Sequence, residues 1–115
     1  MNNEEKIGSI KIADEVIATC AMNATNRTEG VADLSAGITD TLSKNILGKT
    51  SLYKGIKIVQ EDQGVTVDIH IVVDYGVKIP EVAWNVQENV KKEIESITGL
   101  KIKAVNIFVQ GVSFD

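Results

Sequence analysis

The only histidine of the chain, His70, stands in the stretch VTVDIHIVVDYGVKIP at residues 65–80. On an extended strand successive side chains point to opposite faces. Val65, Val67, Ile69, Ile71 and Val73 then share one face, and Thr66, Asp68, His70, Val72 and Asp74 share the other. Residues two apart on a strand lie about 7 Å apart, so an Asp-x-His pair can reach one cation, and a neighbouring carboxylate can orient an imidazole as a base. The rest of the chain completes neither chemistry. Catalytic zinc takes roughly three protein ligands and structural zinc roughly four, whereas this chain offers one histidine and one cysteine. A nucleophile needs an activating base within hydrogen-bond reach, and no G-x-S-x-G elbow occurs. SKNILGKT at 43–50 ends like a phosphate-binding loop, but Ser43 stands where that motif requires glycine. The sequence therefore predicts no catalytic residue, no metal ligand set and no cofactor, and it reads the Asp68–His70–Asp74 row as the hydrated side of a sheet.

The elements that position this row follow from periodicity. GSIKI at 8–12 alternates and predicts a short strand. ADEVIATCAMNATNRTEG places Ala13, Val16, Ile17, Cys20, Ala21 and Ala24 on one helical face, with Asp14 and Glu15 at the positive end and Gly30 as a stop. GVADL at 30–34 reads as a short strand or an extended link. Residues 35–55 are rich in Ser, Thr, Gly and Lys and predict a mobile loop, with a short amphipathic helix on Ile38, Leu42 and Ile46. Strands at 56–61 and 65–75 flank the turn residues Asp62-Gln63-Gly64, the signature of a hairpin. Pro80 opens a second helix whose apolar stripe is Ala83, Val86, Val90, Ile94 and Ile97, with Val82 beside it, and Gly99 closes it. In KIKAVNIFVQGVSFD the apolar positions change parity at Gly111, as one extra residue in a β-bulge would cause.

The resulting order, β-α-β-β-β-α-β, predicts an α+β two-layer sandwich with two helices on one face of a mostly antiparallel sheet. Residues 1–7 are expected to be a disordered tail and 8–115 a single domain. The uncovered face then carries Val59, Val72 and Phe108 among Lys57, Glu61, Asp74, Asn106 and Gln110, with His70 between them. Apolar residues converging across strands make a docking patch. Trp84 lies off the stripe of the second helix, where its ring either folds over the core edge or anchors a partner. Val59, Val72, Phe108, Trp84 and His70 are the candidate interaction surface.

Composition narrows the class. A chain of 115 residues, 43% hydrophobic and 24% charged, is ordinary for one globular domain. Its net charge of −4 and the acids on the open face argue against a nucleic-acid partner, since such affinity comes mostly from Lys and Arg on phosphates. One cysteine precludes an intrachain disulfide and fits a reducing compartment. No signal peptide or membrane span is evident, so a cytoplasmic location is expected, with any membrane contact made indirectly.

DYGVKIPEVAWNVQENVKKEIESITGLKI followed by AVNIFVQGVSF, together with GSIKIADEVIATCA and EGVADLS, closely resembles the alkaline shock protein family, the envelope stress response proteins of Gram-positive bacteria. The likeness runs from about Gly8 to Phe114, and IPEV with V-Q-x-x-V, T-G-L and V-N-x-x-V-Q-G-V are its most specific pieces. The resemblance implies a short, non-enzymatic member acting in envelope homeostasis at the inner face of the membrane, through a membrane-anchored partner protein. It also implies a homo-oligomer. The alternative it implies is an accessory subunit of a dihydroxyacetone-kinase-type enzyme that handles fatty acids. The family supplies no catalytic residue to carry over.

Overall fold

The computed structural model describes residues 7–35 and 50–115. Its elements run α1 (Asp14–Asn26), β1 (Val31–Leu34), β2 (Thr50–Tyr53), β3 (Ile56–Glu61), β4 (Gly64–Asp74), α2 (Ile79–Thr98) and β5 (Ile102–Ser113). The α+β two-layer class is as the sequence predicts, and among the described residues three of the four strand pairings are antiparallel.

β4 is the centre of the sheet. Its alternation puts Val67, Ile69, Ile71 and Val73 wholly out of solvent, against Ile56 and Ile58 of β3 and the helices. β3 turns back onto it through Asp62 and Gln63, pairing from Ile56↔Ile69 to Glu61↔Gly64. β1 takes the same edge of β4 further on, from Leu34↔Ile71 to Val31↔Val73. The handover falls at His70, whose N–H donates to the Gly55 carbonyl (2.9 Å) and whose carbonyl accepts from Ser35 N–H (2.8 Å). On its other edge β4 pairs in parallel with β5, which α2 makes possible by crossing back over the sheet.

α2 follows its predicted bounds. Pro80 sits in the first turn, and Gly99 caps the end with φ 76°, its N–H donating to the Glu95 carbonyl. Val82, Val86, Val90 and Ile94 are buried, while Ile97, expected in the stripe, is exposed. α1 is rotated from its expected face. It buries Ile17, Ala18, Cys20, Ala21, Ala24 and Thr25 and leaves Val16 44% exposed. The reason is that α1 packs on both the sheet and α2, so its small residues face two neighbours at close range.

The strand expected at 8–12 does not form. Ile10 is 82% exposed, and the Ile12 carbonyl accepts from Gln60 Nε2 (3.1 Å) rather than from a ladder partner. Gln60 also donates to Asp14 Oδ1 (2.6 Å), so one side chain fixes the lead-in to α1. GVADL, left open between strand and link, is strand β1. The expected helix in the 35–55 loop and most of SKNILGKT lie outside the described residues, and the end of that segment, Thr50–Tyr53, is strand β2. The bulge near Gly111 is present. Ile71 pairs with Val109 and Val72 with Gly111, which leaves Gln110 as the extra residue and returns Val112 opposite Val73.

The two helices are clasped by Glu93. Arg27 Nη2 donates to its Oε1 (2.9 Å) and Asn23 Nδ2 to its Oε2 (3.3 Å). The Arg27 bond first, then Asn23, holds the Glu93 carboxyl below its ordinary value. A depressed carboxylate contributes stability above its unfolded pKa and loses it as pH falls through the folded value. Glu93→Gln should therefore lower the melting temperature modestly at pH 7, because the guanidinium is solvated. That deficit should close as pH is taken below the ordinary carboxylate range of about 4. Thermal melts of both proteins across pH 7 to about 3 check this, and a deficit constant with pH would refute it.

Candidate interaction surface

The helices cover one side of the sheet, and the other side is open among the described residues. Its side chains form rows across β3, β4 and β5. Lys57, Asp68 and Asn106 make one row, Val59, Thr66 and Ala104 a second, His70 and Phe108 a third, and Val72 and Gly111 a fourth, with Asp33 of β1 opposite Val72.

The rows settle what Asp68 does. Lys57 Nζ lies 3.5 Å from its Oδ2, and Asn106 Nδ2 donates to its Oδ1 (2.8 Å). Both carboxylate oxygens are engaged within the sheet, so Asp68 acts as a cross-strand tie. Asp74 sits exposed at the end of β4. His70 is engaged with other partners. Its Nδ1 lies 3.1 Å from the Gly55 carbonyl, and a carbonyl only accepts, so Nδ1 carries a proton. Its ring stacks on Phe108 at a centroid distance of 4.7 Å with planes 16° apart. Among the described residues no three of His, Cys, Asp and Glu are grouped to hold a metal ion.

Other chemical groups lie elsewhere. Cys20 is buried, and burial foremost, with Glu93 second, pushes its thiol pKa up, which keeps it protonated and poorly nucleophilic at neutral pH. Concavities of about 270, 220 and 300 Å³ are lined, respectively, around Gly30 and Val82, around Gln87 and Lys103, and around Met22 and Lys54. None of these three is lined by Asp68, His70 or Asp74.

The five candidate residues separate into three places. His70, Phe108 and Val72 are neighbours on the open face, while Val59 is in the row of Thr66, four residues along β4 from His70. Phe108 is 42% exposed even with His70 stacked on it. Trp84 is 58% exposed and belongs to the helical layer, so it shares no row with the others. The stacked pair was not legible in the sequence. It depends on the parallel register of β4 and β5, which pattern alone does not reveal. Tyr75 and Phe114, absent from the candidate set, form a second exposed aromatic pair with centroids 4.8 Å apart where β4 and β5 end. Their positions just past two strand ends are the one sequence signal that could have suggested it.

The fold and sequence have known counterparts. A structure of MamM-CTD superposes with a TM-score of 0.52 at 14% identity, covering 86% of this chain and 99% of that one, which is a likeness of fold. Bacillus subtilis (strain 168) YqhY is 36% identical over 116 residues, spanning 100% of this chain and 85% of its own length. YloU of the same organism is 40% identical over 109 residues, spanning 93% and 90%. The family model that matches residues 2–114 agrees with these relatives over nearly the same span, and the chain therefore belongs to the alkaline shock protein 23 family, a family of cell envelope-related function.

Proposed function

We propose that this chain is a non-enzymatic protein-interaction module of cell-envelope homeostasis and stress response, held at the cytoplasmic face of the membrane by a partner protein. The observation that carries the reading is the uncovered sheet face with the stacked His70–Phe108 pair and Val72 beside it. Asp68 is tied into the sheet by Lys57 and Asn106 and Asp74 is displaced to its end, while Asp33 of β1 stands opposite Val72 with its Oδ1 accepting from Leu34 N–H. An aromatic pair rimmed by satisfied polar groups suits the centre of a protein interface, where a few buried aromatic contacts carry most of the binding energy. No helix among the described residues is long and apolar enough to cross a membrane, and the reading assigns the membrane anchor to the partner.

The test is recruitment. The wild-type chain and a Val72→Asp variant are expressed in the source cell, and the share sedimenting with membranes is measured. A charge placed beside the stacked pair should cut that share at least about tenfold, the loss expected when an interface centre is disrupted, while the circular dichroism spectrum is unchanged. Undiminished recruitment of a folded variant would overturn the reading. A lipid-handling kinase co-purifying in place of a membrane protein would move it to the accessory-subunit alternative.

A further inference from the structure

β5 pairs with β4 along one edge, and among the described residues its other edge meets no strand. An open edge is a template for another strand, and proteins usually blunt it with charge, proline or bulges. This edge is blunted by two register shifts and by one side chain of α2, Gln87. Register shifts fall opposite Lys103 and Gln110, and from Ala104 to Val112 the strand reads AVNIFVQGV, without a charge or a proline. Exposed aromatic side chains stand in both layers. Phe108 stands half-exposed on the open face. Trp84 stands on the helical side, three residues before Gln87 and so on the same flank of α2, and Gln87 Nε2 reaches the Val105 carbonyl (2.9 Å).

We infer that a second copy of this chain docks here, β5 against β5 in antiparallel order about a two-fold axis near Phe108, joining two five-stranded sheets into one. The strand is self-complementary in that arrangement. Phe108 meets Phe108 of the second copy, Ile107 meets Val109, and Asn106 meets Gln110. The basic end at Lys101 and Lys103 then lies against the acidic end at Asp115 of the other copy. A two-fold interface brings each residue near the axis close to its own copy, and this stretch has no charge there to repel itself. Backbone pairing supplies affinity and the alternating side chains supply register. The two His70–Phe108 patches become neighbours, so a dimer presents the surface proposed above as one doubled face.

This deepens the interaction-module reading and rests on it for its purpose, but it is measured on purified protein with no partner present. The two can therefore fail separately. A monomer that is still recruited to membranes would sink only the pairing, and a dimer that is not recruited would sink only the recruitment. Sedimentation equilibrium from about 10 μM to about 1 mM, a range that brackets weak dimers, should show wild-type protein dimerising. Phe108→Lys and Phe108→Asp variants should each lose at least about tenfold in association, since like charges directly opposite across strands are destabilising. An equimolar mixture of the two variants should recover it. Amide exchange in wild-type protein, which involves no substitution, should slow along Val105–Val109 as concentration rises. A wild-type monomer throughout the range, dimers undiminished in both variants, failure of the mixture to recover, or concentration-independent exchange would each overturn the assignment.

Discussion

Gly55→Ala is expected to destabilise the fold by about 2–5 kcal/mol, from the cost of left-handed backbone and of overpacking together. Gly55 has φ +86°, following Lys54 at φ +46°, and the two form the tight turn that closes the β2–β3 hairpin. A β-carbon at Gly55 would overlap the Ser35 backbone oxygen. Neither side can give way easily. Ser35 N–H is bonded to the His70 carbonyl, and the Gly55 carbonyl receives both His70 N–H and Nδ1. The substitution therefore pushes β1 away from β3 at the one residue of β4 that both share. Gly76→Ala is the matched control, because Gly76 has φ +92° and nothing within 4 Å of the added carbon. It should cost only the backbone term, about 1–2 kcal/mol. Urea unfolding of the two variants reads the difference directly, and equal losses would show that the crowding at Ser35 is relieved at no cost.

Ile69→Ala should cost about 2–5 kcal/mol, the range for deleting a buried aliphatic side chain and leaving part of its cavity. Ile69 is completely buried, paired with Ile56 on one side and Ile107 on the other. Against a total stability of about 5–15 kcal/mol for a domain of ordinary size, this one change takes a large fraction. Val72→Ala, three residues along the same strand and on the open face, should cost well under half as much. The comparison tests the assignment of faces, since both changes truncate aliphatic side chains in one strand. Denaturant midpoints at unchanged slope would measure it, and similar losses at the two positions would mean that the outer face is covered after all.

Much of this architecture is local in origin and was readable. The alternation of Val65 to Val73 identifies the buried face of the central strand, and the hairpin turn at Asp62-Gln63-Gly64 stands between two apolar runs. Pro80 and Gly99 bracket α2, and the parity change near Gly111 marks a real bulge. The same local logic overreached at GSIKI, where alternation occurs without a partner strand, and at Val16, where a helix touching two neighbours buries a different face. A pattern says that a residue belongs to an apolar side, and it is silent about what that side will meet.

The amino-acid order by itself determined which face of each long element is apolar, where α2 begins and ends, and that the lone histidine lies on the polar side of its strand. Only the tertiary structure decided that β4 takes β1 and β3 on one edge and β5 in parallel on the other. It alone also decided that His70 stacks on Phe108, that Asp68 is tied by Lys57 and Asn106, and that Trp84 lies exposed on the helical layer. The physical reason is range. Side-chain periodicity is written within about ten residues, whereas pairing and register depend on contacts between segments far apart in the chain, whose energies are summed only when the whole core closes.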